Sequence, residues 1–273
     1  MRIWCVAFIV LALSACSDIA VATYDGPPRT FASSFESVSD FADFYSVPSG
    51  DWDSSHTYAS ELVHSGTFAH RATIDAPRAD DNDGLTYRPH RAYPTIQLHK
   101  TADGVFRTPC LVTVWVNLDM ALLDRPTGHV DDWFSFLTLT PDQSDNWNRT
   151  VLLNLTPDGY AKLVHVPRQG EQDRTEQVTA DNDPTGALLF PLRQWVRFDV
   201  YIDFDADHGQ AIAWQDGVRV SAARVEGGAG ALAQAHFGLY AAAAVPRGTI
   251  VNDDLTIREL SDDEAAALLG SND

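Results

Sequence analysis

Trp195-Val196-Arg197-Phe198-Asp199-Val200-Tyr201-Ile202-Asp203-Phe204, followed by Ala211-Ile212-Ala213-Trp214-Gln215 and the pair Asp216-Gly217, decides the fold class. Apolar and polar residues alternate along the first run with the period of two that sends successive side chains to opposite faces of a strand. Arg197, Asp199 and Tyr201 therefore share one face. Asp-Gly after a second run is a two-residue hairpin signal, because both turn positions need positive φ, and hairpins pair strands antiparallel.

The same pattern extends outward in both directions. Alternating or continuous apolar runs occupy 93–100, 111–118, 133–139, 150–155, 160–166, 236–243 and 249–258, and Asp158-Gly159 marks another hairpin. So many short runs, with hardly any helical period, predict an all-β protein of two antiparallel sheets. Asp203-Phe204-Asp205-Ala206-Asp207 begins like a calcium loop, but its glycine is misplaced and no glutamate closes it, so it reads as a turn. Ser261 and Glu264 form a capping box before Ala265–Leu269, with Gly270 as a stop, which predicts one short terminal helix.

Upstream, Leu13-Ser14-Ala15-Cys16 closes an apolar run that follows Arg2. A basic start, an apolar stretch too short to span a bilayer and small residues before a cysteine are the marks of a lipoprotein signal peptide. The other reading is a plain secretory signal that happens to contain a cysteine. The expected organisation is a signal peptide at 1–15, a lipidated N-terminus and flexible tether at 16–32, a β-domain at 33–260, and a helix with an acidic tail at 261–273. Lipid on Cys16 would place the protein in a bacterial cell envelope, periplasmic or on the outer surface. Of the three cysteines, only Cys110 would then remain a free thiol, so the domain must rest on a packed core.

The formal net charge is −19, and Lys100 and Lys162 are the lysines of the chain. Such a surface repels nucleic acid and anionic headgroups, so neither is an expected partner. A monomer is expected. Within this acidic chain, residues 84–102 carry Arg88, His90, Arg91, His99 and Lys100 without one Asp or Glu. This island either binds an anionic ligand or pairs with acidic loops such as Asp80-Asp81-Asn82-Asp83.

Alternation assigns faces to the candidate site. In 93–100, Tyr93, Thr95, Gln97 and His99 share one face and Ile96 and Leu98 the other. In 111–118, Thr113, Trp115 and Asn117 oppose Val112, Val114, Val116 and Leu118. In the 236 run, His236 and Tyr240 oppose Phe237 and Leu239. Trp195 and Trp214 read as packing; Trp133 and Trp147 fit either packing or sugar stacking. The nine histidines show no metal-ligand spacing. No cofactor is expected, and structural calcium has no motif behind it.

Four segments resemble concanavalin A-like jelly rolls: Ser60–His70, Gln194–Tyr201, Ala213–Gly217 and His236–Tyr240. The resemblance implies a glycan groove on one sheet. Gln97-Leu98-His99 resembles the Gln-Ile-His motif of polysaccharide lyases of the alginate and heparin lyase type, and Phe237-Gly238-Leu239-Tyr240 resembles the strand that carries their catalytic tyrosine. This implies β-elimination on an acidic polysaccharide. Gln97, His99 and Arg88 or Arg91 would neutralise a uronate carboxylate, Tyr240 or His99 would take the neighbouring proton, and Tyr240 would protonate the leaving oxygen. Tyr93, Trp115, Arg197, Tyr201 and His236 would complete the groove. The same fold also serves non-catalytic glycan binders and surface adhesins. No strand carries a Glu-x-Asp-x-x-Glu pattern, which argues against hydrolysis by paired carboxylates.

Overall fold

The computed structural model describes residues 26–37, 44–46, 54–75, 89–121, 133–167, 188–243 and 245–270. In chain order the strands are β1 (Thr30–Ser33), β2 (Phe44–Ser46), β3 (Ser54–Ala59), β4 (Ala69–Ile74), β5 (His90–Ala92), β6 (Pro94–Gln97), β7 (Phe106–Arg107) and β8 (Cys110–Met120). They continue as β9 (Phe134–Thr140), β10 (Thr150–Leu155), β11 (Ala161–Val166), β12 (Trp195–Asp203), β13 (Gln210–Gln215) and β14 (Val218–Arg224). Last come β15 (Ala231–Leu232), β16 (Gln234–Ala241), β17 (Gly248–Glu259) and helix α1 (Asp262–Gly270).

Two antiparallel sheets face each other. One has the order β14-β13-β12-β8-β17-β4-β3, with β1 continuing beside β17; the other runs β11-β10-β9-β16-β6-β2, with β5 also on β16. The chain passes between the sheets several times, so neighbouring strands are often distant in sequence. β8, for instance, lies between β12 and β17.

The core fills the space between the sheets with the residues that alternation sends inward. Val112, Val114, Val116 and Leu118 from β8 and Val196, Phe198, Val200 and Ile202 from β12 meet Ile96, Phe134, Phe136, Leu139, Leu153 and Phe237 from the other sheet. Each large aliphatic or aromatic side chain so buried contributes about 1.5–3 kcal/mol. Asp158-Gly159 and Asp216-Gly217 close hairpins, with Gly159, Asp216 and Gly217 at the positive φ those turns need. At the end of the chain Glu264 N–H donates to Ser261 Oγ (3.3 Å) while Ser261 N–H donates to Glu264 Oε2 (2.9 Å), the reciprocal capping box.

Several element boundaries differ from the sequence reading. The run 93–100 does not continue as one strand: β6 takes Pro94–Gln97 and a 3₁₀ turn takes Leu98–Lys100, while the preceding β5 ends at Ala92. Ser60–Phe68, read as part of a first-strand region, is mostly loop between β3 and β4. β1 begins inside the stretch assigned to the tether, because Thr30–Ser33 pairs with Leu255–Arg258. Glu259 fastens it: its Oε1 accepts from Arg29 Nε (3.0 Å) and Arg107 N–H (2.8 Å), and its Oε2 pairs with Arg107 Nη2 at 3.1 Å. Cys16, the signal peptide, Arg88 and Asp80–Asp83 lie outside the described residues. Among the described residues no helix is long and apolar enough to cross a membrane.

Candidate functional site

The outer face of the seven-stranded sheet carries three rungs of side chains, set by strand register. One rung runs Arg91, Tyr240, Ser135, Asn154, Lys162 across five strands. The next runs Thr95, His236, Thr138, Leu152, Val164. A third begins with Gln97, Gln234 and Thr140. Irregularities at Phe237/Tyr240 in β16 and Leu153/Asn154 in β10 keep Tyr240 and Asn154 on this face. At Gly238, with φ +120°, an added Cβ would lie 3.0 Å from His70 Cε1 and 3.2 Å from Tyr93 Cβ, so only glycine lets the strand pass this close.

His236 is the centre of an aromatic cluster. Tyr93 stacks on it (centroids 4.0 Å apart, 11° between planes), Tyr240 meets it edge-on at 5.5 Å, and Trp147 lies at 5.1 Å. Trp133 packs edge-on against Tyr240 at 4.7 Å, and the Arg91 guanidinium lies 5.6 Å from the Tyr240 ring centroid. Ser54 Oγ holds Arg91 by its backbone, accepting from Arg91 N–H (3.1 Å) and donating to Arg91 O (2.7 Å). Burial, reinforced by Arg91, pushes His236 down to about 3. The ring is therefore a neutral imidazole at ordinary pH, at the base of a cluster whose Arg91 and Tyr240 stay within reach of solvent.

Gln97 and His99 are not part of that cluster. Gln97 lies on the outer face, two rungs from Tyr240, donating to Gln234 Oε1 (3.1 Å) and accepting from Lys100 Nζ (2.9 Å). His99 belongs to the 3₁₀ turn, where alternation no longer applies, and its Nδ1 lies 3.3 Å from Ala233 O. The tripeptide therefore does not present its two polar side chains beside Tyr240. Ile96 and Leu98 do point into the core.

Trp115, Arg197 and Tyr201 require a larger correction. They belong to β8 and β12, in the other sheet, and face outward from it, so the whole core separates them from His236. Trp115 stacks on His64 at 3.9 Å, and Arg197 pairs with Asp199 at 2.9 Å. Tyr201 packs with Ile212, Trp214 and Ala265 of α1. Burial, with the Asp203 charge adding to it, pushes its hydroxyl up to about 12. Alternation correctly sorted inward from outward in these strands. Period two alone carries no information on which sheet a strand joins.

Other residues of the face drew no attention in the sequence. Thr138 and Asn154 are 3% and 6% exposed, yet Thr138 Oγ1 and Asn154 Oδ1 are buried without a hydrogen-bond partner. The amide of Gln234 donates to the backbone oxygens of Asp142 (2.7 Å) and Ser144 (2.9 Å), tying the β9–β10 loop to the face. A polar residue inside an apolar strand run is the only signal that could have found Thr138 and Asn154. Among the described residues no three His, Cys, Asp or Glu side chains gather as a metal site.

No protein-family model matches the sequence, and no curated protein sequence matches it. Solved structures do share the fold. The cellulose-induced protein Cip1 aligns with a TM-score of 0.55 at 13% identity, over 83% of this chain and 95% of its own. Alginate lyase Aly36B aligns with a TM-score of 0.51 at 12% identity, over 85% and 97%. A doubly substituted Aly36B in complex with an alginate trisaccharide aligns at 0.50, with 12% identity over 85% and 95%. At such identities the likeness carries the architecture: the chain is a jelly-roll sandwich of two antiparallel sheets.

Proposed function

We propose that this protein engages an acidic polysaccharide on the outer face of its seven-stranded sheet and cleaves it by β-elimination, held at the cell envelope by acyl chains on Cys16. The observation that carries the reading is the meeting of Arg91, Tyr240 and His236 on adjacent rungs. Arg91 would bind the uronate carboxylate and stabilise the charge that builds on it as the neighbouring C–H bond breaks. His236, neutral because it is buried, takes the place given in the sequence reading to His99. Its imidazole accepts the C5 proton, the released pair becomes the C4=C5 double bond, the C4–O bond breaks, and the Tyr240 hydroxyl protonates the departing oxygen. A carboxylate bound at Arg91 offsets the guanidinium charge and so raises the basicity of His236 in the complex. Aly36B, of the same architecture, is by name an alginate lyase.

One observation favours a second reading, a binder without turnover. Gln97, the family-like carboxylate neutraliser, is engaged with Gln234 and Lys100, away from Tyr240. The deciding experiment follows the ultraviolet absorbance of unsaturated products while the protein is incubated with a panel of uronate-containing polymers. Growth of absorbance that is lost in Tyr240→Phe supports elimination. Retention of a polymer without product, abolished by Arg91→Ala, supports the binder. If no polymer is either retained or cleaved, both readings fall.

A further inference from the structure

We infer that the outer face of the eight-stranded sheet holds a second binding site, for a neutral sugar, on the side of the molecule opposite His236. It is independent of the reading given to the other face. A hollow of about 370 Å³ lies there over β4, β17 and β8, within the range of small-molecule sites. Strand register builds it. Arg71, Val251 and Asn117 form one rung across β4, β17 and β8, which Trp195 of β12 continues, and Asp119 follows on the next rung of β8. Arg193, just before β12, is fixed against β8 by its N–H, which donates to Leu118 O (2.8 Å). Glu61 comes from the loop after β3. Arg71 and Arg193 thus stand on opposite flanks, three strand spacings or about 14 Å apart at Cα.

Among the described residues, the side chains of Arg71, Arg193, Glu61 and Asp119 make no hydrogen bond or ion pair, with one another or with any other group. Water can serve such charges at a surface, so they alone indicate nothing. Asn117 differs: it is 7% exposed, its side chain has no hydrogen-bond partner among the described residues, and it opens on the hollow. A polar group so far withdrawn from water needs a partner, and the hollow is where one can sit. The lining also selects the class of ligand. Two guanidinium groups face two carboxylates, so a net charge of either sign would be repelled by one pair as much as it is attracted by the other. A sugar hydroxyl donates to a carboxylate and accepts from a guanidinium, and it can do either with the Asn117 amide. Val251, almost inaccessible, forms an apolar floor, and the half-buried Trp195 indole beside Asn117 offers the C–H face of a sugar ring a surface to pack on.

The test is titration calorimetry of the detergent-solubilised full chain with neutral tetrasaccharides of glucose, mannose, galactose and xylose. At least one of them should bind, at one site per chain. Asn117→Leu, close in size, and Asp119→Asn should each weaken that binding about tenfold, the loss expected when a hydrogen bond to a buried or charged group is removed. Arg91→Ala, on the opposite face, should leave it unchanged. Thermal midpoints verify that each variant folds, and Arg71→Gln, at a partly exposed position, stands in for Asn117→Leu if the latter does not. If no neutral tetrasaccharide binds, or if one binds the Asn117, Asp119 and Arg71 variants as tightly as the parent, the site is overturned. Binding that is lost in Arg91→Ala and kept in these variants places the sugar on the opposite face and overturns it as well.

Discussion

His236 combines a cost in stability with the chemical use proposed for it. Burial first, and Arg91 second, lower its imidazole from 6.5 to about 3. An unfolded chain takes up the proton near the ordinary value, so the stability that comes from a neutral His236 is complete above about pH 6.5 and is lost as the pH falls toward 3. By pH 5 the loss assigned to this residue is about 2 kcal/mol. Denaturant unfolding at pH 7 and pH 5 measures it: His236→Gln should lose that much less than the unmodified protein. An equal loss would assign the acid sensitivity elsewhere, for instance to His70, which burial and His56 also lower. Tyr240→Phe removes one hydroxyl from a half-buried ring. If that hydroxyl is the proton donor, turnover should fall by about 10²-fold or more, while affinity is kept and stability stays within about 1 kcal/mol of the parent. An activity unchanged by Tyr240→Phe would remove Tyr240 from the mechanism.

At the scale of the element, β17 joins most of the eight-stranded sheet: β8 lines one edge, and β4 and then β1 line the other. Its last residue, Glu259, is nearly inaccessible and is held by Arg29 and Arg107. Burial raises its carboxyl, but the hydrogen bonds from Arg29 and Arg107 outweigh that and leave it below the usual carboxylate range. Glu259→Gln keeps the volume but removes the carboxylate charge that Arg29 and Arg107 share, which should cost about 1.5–3 kcal/mol. Because Arg29 precedes β1, the variant should also be cut faster by trypsin near that residue under native conditions. An unchanged unfolding midpoint and unchanged cleavage would show that β1 is held by its backbone pairing alone. A reader of the sequence had no access to this clasp: its partners are 230 and 152 residues apart.

At the scale of the whole molecule, a strongly acidic domain would need an anchor that does not depend on charge. The acyl chains proposed on Cys16 would supply one, since burying each methylene contributes about 0.8 kcal/mol and several chains together make release very slow. Replacing Cys16 with serine should therefore move the protein from washed membranes to the soluble fraction with its unfolding midpoint unchanged. Retention of Cys16→Ser on the membrane would place the attachment elsewhere in the chain.

Local chemistry was legible in the sequence because it depends on nearest neighbours. Alternation in Val112–Leu118 and Trp195–Phe204, positive φ at Asp216-Gly217 and the Ser261/Glu264 box each follow from backbone geometry over a few residues. These determined an all-β sandwich with a terminal helix and sorted most inward from outward side chains. Sheet membership depends on pairings between residues far apart in the chain, and it alone decided that Trp115, Arg197 and Tyr201 lie across the core from His236. The 3₁₀ turn that removes His99 from its expected face forms where Ala233 O accepts the His99 N–H at 3.3 Å, a partner more than a hundred residues away. Likewise, Arg91, Tyr93 and Tyr240 meet His236 only because β5, β6 and β16 are brought side by side in one sheet, and no period in the sequence encodes that neighbourhood.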